Sequence, residues 1–86
     1  MELFSNSYPK ELIKKIKTAP LLPGCYLFKE KNGKIIYIGK AIELRDRVKA
    51  YFIPKYENPV RIQKMVSLIH DVDFITVDSE AEALVL

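Results

Sequence analysis

A single cysteine in 86 residues rules out an internal disulfide. With a single histidine as well, no His/Cys set of metal-site spacing can form, and no paired carboxylates supply one. His70 falls near the end of a helical pattern and suits a surface or C-terminal capping place better than a ligand. No apolar run approaches the roughly 20 residues a membrane helix needs, and no signal-peptide pattern is present. The expected compartment is therefore cytoplasmic, and no membrane partner is expected. Repeats and low-complexity tracts are absent. There is no recognition helix rich in Asn, Gln and Arg and no row of aromatics for stacking, so nothing in the chain reads a base sequence. A chain of this length holds one domain with a small core.

What is present is concentrated between residues 24 and 39, which contain all three glycines. Gly24-Cys25-Tyr26 and Tyr37-Ile38-Gly39 bracket Asn32-Gly33, and Asn-Gly between apolar runs predicts a hairpin with a two-residue type I′ turn. That turn sets Lys31 against Lys34, Phe28 against Tyr37 and Tyr26 against Gly39. Tyr26 and Tyr37 then share one face as diagonal neighbours, roughly 7–8 Å apart. Gly39 leaves open the space above Tyr26, while Cys25 points the other way by parity. Two strands with ordinary core aromatics would read the same way up to this point.

From Ile42 to Phe52, Leu44, Val48 and Phe52 recur at helical spacing. On that helix Arg47 and Tyr51 stand at one margin of the apolar stripe, while Asp46, Lys49 and Ala50 point to solvent. Lys40, at the strand-to-helix turn, reaches the same place. A snorkelling arginine beside a half-buried tyrosine is the ordinary alternative.

Together, Pro23-Gly24-Cys25-Tyr26, Tyr37-Ile38-Gly39-Lys40-Ala41, Arg47 and Tyr51 resemble the GIY-YIG endonuclease family. Within it the pattern is most similar to the nuclease domains of the UvrC branch, the C component of excinuclease ABC, from about Ala19 to Leu86. Cys25 departs from the branched aliphatic residue usual at its position. The resemblance implies a metal-dependent endonuclease acting on damaged double-stranded DNA, with Tyr26, Tyr37, Lys40, Arg47 and Tyr51 at the catalytic site. Lys40, Arg45, Arg47 and Lys49 would contact the nucleic acid. Tyr37 would serve as general base or position the water, and Arg47 would orient the phosphate. In bacterial nucleotide excision repair such a domain makes the 3′ incision beside a lesion, on DNA presented by the helicase-like B component of excinuclease ABC. The implied cofactor is a divalent metal, Mg2+ or Mn2+.

In that family the metal is held by a glutamate directly after a Glu-Ala-Leu-Val-Leu stretch, here Glu82 to Leu86. The sequence ends there, so the ligand would be the next residue. The chain is expected to be a fragment of a longer polypeptide, cut in its last helix and inactive without that glutamate. Glu80 and Glu82 do not substitute, because Ser79-x-x-Glu82 fits a helix capping box. No metal ligand is assigned within residues 1–86.

Charge is divided along the chain. Residues 1–55 hold twelve Lys/Arg and five Asp/Glu, whereas residues 56–86 hold two and six. The basic part contains the hairpin and Arg47, a distribution suited to gripping phosphates and equally found on solvated helices. The expected order is an N-terminal helix within residues 1–18 and a core over 19–86. Pro20 and Pro23 impose an extended entry to the first strand. Asn58-Pro59 opens a helix bearing Ile62, Met65, Val66 and Ile69. A third strand spans Val72 to Val77, and Ser79 opens the last helix. The fold class is α+β, a small three-stranded antiparallel sheet flanked by helices, monomeric. A non-catalytic nucleic-acid or protein-binding module, and a stand-alone nuclease of the same family, are the competing readings.

Overall fold

The computed structural model describes residues 8–52 and 59–77. Helix α1 (Lys10–Lys17) leads into strand β1 (Gly24–Lys29), which turns back as β2 (Ile35–Ala41). Helix α2 (Leu44–Ala50), helix α3 (Val60–Leu68) and strand β3 (Asp71–Thr76) follow. The strands form one antiparallel sheet in the order β2-β1-β3. The α+β class with a three-stranded antiparallel sheet is thus as expected. The first residues of the expected N-terminal helix region, Asn58, and the capping box with its last helix lie outside the described residues.

Alternation sorts the sheet into two faces. Tyr26 and Phe28 of β1, and Val72 of β3, join Leu12, Ile16, Leu44, Val48, Phe52, Val66 and Ile69 in the core. The helices therefore pack on that face. Phe28, Leu12, Ile16, Leu44, Val48 and Val72 are the large side chains most completely enclosed, each worth about 1.5–3 kcal/mol in transfer from water. On the other face Ile38 and Ile75 stand exposed. Lys15 of α1 is 2.8 Å from Asp71, and Lys29 pairs with Asp73, so these two lysines bind carboxylates of β3.

Two helices begin immediately after proline. Pro9 and Pro59 occupy the N-cap positions with extended ψ, and their carbonyls accept the first helical amides. Pro59 thus precedes α3 instead of being its first residue. The α2 helix is shorter than the apolar repeat suggested, because Tyr51 and Phe52 close it in a turn.

The hairpin turn also differs from expectation. The amide of Gly33 donates to the Glu30 carbonyl, and Glu30 donates to Lys34. Among the described residues only Gly33 has positive φ, at 87°. Lys31 and Asn32 are therefore the centre of a type I-like turn closed by a left-handed glycine, a three-residue loop. The Asn32 side chain accepts from the Lys34 amide, which favours this shape over type I′. Lys29 consequently pairs with Ile35, and the register shifts before Phe28 meets Tyr37. Ile36 is the extra residue, and this bulge restores the pairing of Tyr26 with Gly39. Gly33→Ala is expected to destabilise the domain by about 1–2 kcal/mol. Urea unfolding should show that loss, with Lys31→Ala within about 0.5 kcal/mol of wild type.

Candidate functional site

The absence of a side chain at Gly39 shapes the site. A Cβ there would overlap the ring and hydroxyl of Tyr26, its partner across the ladder. The Tyr26 ring occupies that space, is only 3% exposed, and reaches past β2 to the turn that closes α2. There its hydroxyl lies 2.8 Å from that of Tyr51.

Tyr37 completes the cluster. Its ring centroid is 6.3 Å from that of Tyr26 and 6.3 Å from that of Tyr51, while Tyr26 and Tyr51 are 5.8 Å apart. Phe28 supports all three rings from within the core, edge-on to Tyr51 at 5.2 Å. Tyr37 is the outermost member, 37% exposed. The cluster thus grades from a buried phenol to an accessible one. Sequence parity had placed Tyr26 and Tyr37 on one face; the Phe28 support follows from the same alternation.

The phenols of Tyr26 and Tyr51 resist ionisation. Burial pushes Tyr51 far above the ordinary tyrosine value, and hydrogen bonding with Tyr26 and Tyr37 adds to it. Burial also raises Tyr26, partly offset by its hydrogen bond with Tyr51 and by the charge of Arg47. Both remain neutral hydrogen-bonding groups around neutral pH.

Arg47 borders this cluster on α2, and a surface cavity of about 470 Å³ opens beside it. Lys40, Ala41, Ile42, Glu43, Asp46, Arg47 and Ala50 line that cavity. Lys40 lies within β2, opposite Cys25, and alternates to the face away from Tyr37. Because β2 is an edge strand, Lys40 nevertheless joins Arg47 at the cavity. The structure thus brings Tyr26, Tyr37 and Tyr51 together, with the charge of Arg47 acting on Tyr26, while Lys40 meets Arg47 only at the adjoining cavity.

Arg45 and Lys49 stand apart from that group. At about 100° per residue they occupy the flank of α2 opposite Arg47. Arg45 is bonded through Nε to the Ala19 carbonyl at 2.8 Å, tying α2 to the segment after α1. Lys49 and Ala50 are half-buried rather than turned fully to solvent. Sequence reading missed the carboxylates of Glu43 and Asp46 in the cavity. The signal was there: Glu43 precedes Arg47 by four residues, the same spacing that joins Arg47 to Tyr51.

These groups do not fit a divalent cation by themselves. Among the described residues no group of three or more His, Cys, Asp or Glu side chains converges as a metal site. Glu43 and Asp46 share their cavity with two cations, and the nearby phenols are neutral. What the cavity offers an anion is the guanidinium of Arg47, whose fork matches phosphate oxygens, with Lys40 lining the same space.

The UvrC-like GIY-YIG domain family matches residues 22–86. UvrABC system protein C of Gloeobacter violaceus is 44% identical over 91% of this chain and 12% of its own length. The protein of that name from Mycoplasma genitalium is 48% identical over 85% of the chain, again 12% of its length. The chain thus spans about an eighth of the curated relatives it matches. Among solved structures, the GIY-YIG N-terminal endonuclease domain of UvrC from Thermotoga maritima, bound to its catalytic magnesium, superposes with a TM-score of 0.73. It is 36% identical, covering 90% of this chain and 82% of that one.

Two outcomes test the cluster. Gly39→Ala should displace the Tyr26 ring and cost about 1–3 kcal/mol, read by urea unfolding. Alkaline titration followed by phenolate absorbance should show Tyr26 and Tyr51 ionising later than free tyrosine, and Tyr51→Phe should remove a late step. Since both folded values are raised, their stabilisation is intact below about pH 10 and lost as pH rises through the folded values. Tyr51→Phe should flatten that alkaline loss of stability.

Proposed function

Because this chain belongs to the UvrC-like GIY-YIG domain family, we propose that it is a metal-dependent DNA endonuclease domain making the 3′ incision beside a lesion in nucleotide excision repair. The observation that carries the proposal is the tyrosine cluster with Arg47 acting on it, in a family whose Thermotoga maritima member is an endonuclease domain. Residues 1–86 form one such domain, belonging to a longer polypeptide. Its substrate is damaged double-stranded DNA presented by the B component of excinuclease ABC, and parts of the polypeptide outside this chain make the partner contacts.

In this reading the scissile phosphodiester lies against Arg47. The guanidinium fork orients two phosphate oxygens and offsets the charge that builds as the water oxygen bonds to phosphorus and the scissile P–O bond breaks, its oxygen leaving on the other strand end as a hydroxyl once protonated. Lys40 supplies a second positive charge at the adjoining cavity. Tyr37, the accessible phenol, holds the attacking water or takes its proton. Tyr26 and Tyr51 remain protonated and keep Tyr37 in place through their hydrogen-bonded network. Arg45 and Lys49, on the far flank of α2, contact DNA away from the cut.

The cation, Mg2+ or Mn2+, takes its carboxylate from outside the described residues, and the glutamate expected next after Leu86 is the proposed ligand. A second reading, a nucleic-acid-binding module that grips without cutting, draws on the lack of a metal-holding group among the described residues.

Nicking of a lesion-bearing duplex by the polypeptide containing this domain separates the two. Arg47→Ala and Tyr37→Phe should each lower the nicking rate about 10²–10³-fold, with circular dichroism unchanged. Chelation of divalent cation should abolish nicking. Near-normal cleavage by either variant would overturn its role, and binding without any cleavage would favour the module.

A further inference from the structure

The α1 helix carries a feature that the site does not use. Lys10, Lys14 and Lys17 recur at i, i+4 and i+7 and fall within about 60° of one another around the helix. The opposite side of α1 inserts Leu12 and Ile16 into the core at 1% and 0% exposure, so the lysine stripe faces outward. It extends about 10 Å along the helix axis.

The fold treats the lysines of α1 differently. Lys15 turns toward β3 and is paired with Asp71 and Asp73. Lys10 and Lys14 make no ion pair among the described residues. The acidic groups of β3 are thus committed to Lys15 and Lys29, on a different side from the stripe. The segment that follows α1 is tied to the basic flank of α2. Arg45 bonds to the carbonyl of Ala19, two residues beyond Lys17, and its amide bonds to the Pro20 carbonyl. The Arg45 and Lys49 flank of α2 is thus tied to the segment after α1, while Glu43 and Asp46 lie between that flank and Arg47 on the outer side of α2.

We propose that the Lys10, Lys14 and Lys17 face of α1 is a second phosphate-contacting surface that extends the domain's hold on duplex DNA beyond the scissile phosphate. This rests on the nuclease reading above. A row of lysines is suited to this, because each ammonium displaces a condensed counterion without demanding a particular base. The surface contributes hold and not chemistry.

The test is binding of the 86-residue chain to a fluorescein-labelled duplex, by anisotropy, across a series of salt concentrations. Wild type, Lys10→Gln/Lys14→Gln and Arg47→Ala are compared. The double variant should bind several-fold more weakly at low salt, and the slope of log affinity against log salt should become shallower by about 2 units, roughly 0.9 for each phosphate no longer neutralised. An unchanged slope in the double variant, with wild type binding and Arg47→Ala weakened, would overturn the second surface and leave the nuclease reading intact. No binding by wild type in low salt would overturn the second surface, while the nuclease reading stands or falls on the nicking assay.

Discussion

The ring of Tyr26 lies in the space that a side chain at position 39 would fill, and the candidate site is arranged around that overlap. Because Gly39 is opposite Tyr26 in the ladder, the ring lies across β2 instead of standing beside it. From there its hydroxyl meets Tyr51, which closes α2, and sheet and helix are joined at the point where the accessible phenol of Tyr37 emerges. Burial against Phe28 then holds Tyr26 and Tyr51 in their neutral form. One missing side chain thus links backbone pairing to the protonation state of the site.

The α2 helix distributes charge around this cluster. It is anchored inward by Leu44 and Val48 and sideways by the bond from Arg45 to Ala19. Anchored this way, it presents Arg47 to the tyrosines and the basic Arg45 and Lys49 flank toward α1. The cavity at Arg47 is of mixed sign, since Glu43 and Asp46 stand beside Lys40 and Arg47. Carboxylates so near Arg47 restrain its attraction for arbitrary anions, and they do not make a cation site by themselves among the described residues.

Much of the candidate site was legible from short-range periodicity. Strand parity placed Tyr26 and Tyr37 on one face and Cys25 on the other, and helical spacing set Arg47 beside Tyr51. The hairpin shows why correct pairing need not mean correct reasoning. Asn32-Gly33 suggested a two-residue turn, whereas the Asn32 side chain stabilises a three-residue one, and Ile36 bulges to recover the register at Phe28 and Tyr37. Two local deviations cancelled. The pull that selects the bulge is the burial of Phe28 and Tyr26 on the core face, since a one-residue slip would turn every side chain of β2 over. A turn dipeptide contains no record of that demand.

By itself the sequence determined the alternation of β1 and β2, the apolar stripes of the helices, and the glycine needed opposite Tyr26. These depend on periods of two or 3.6 residues and are written within a few positions of each residue. Only the tertiary structure decided which flank of α2 meets α1, that Arg45 is engaged by Ala19, that Lys40 joins Arg47 across the sheet edge, and that two phenols resist ionisation. Each of those depends on what packs against a group from a distant part of the chain, because burial and electrostatic surroundings are set by the whole fold and not by neighbours in sequence.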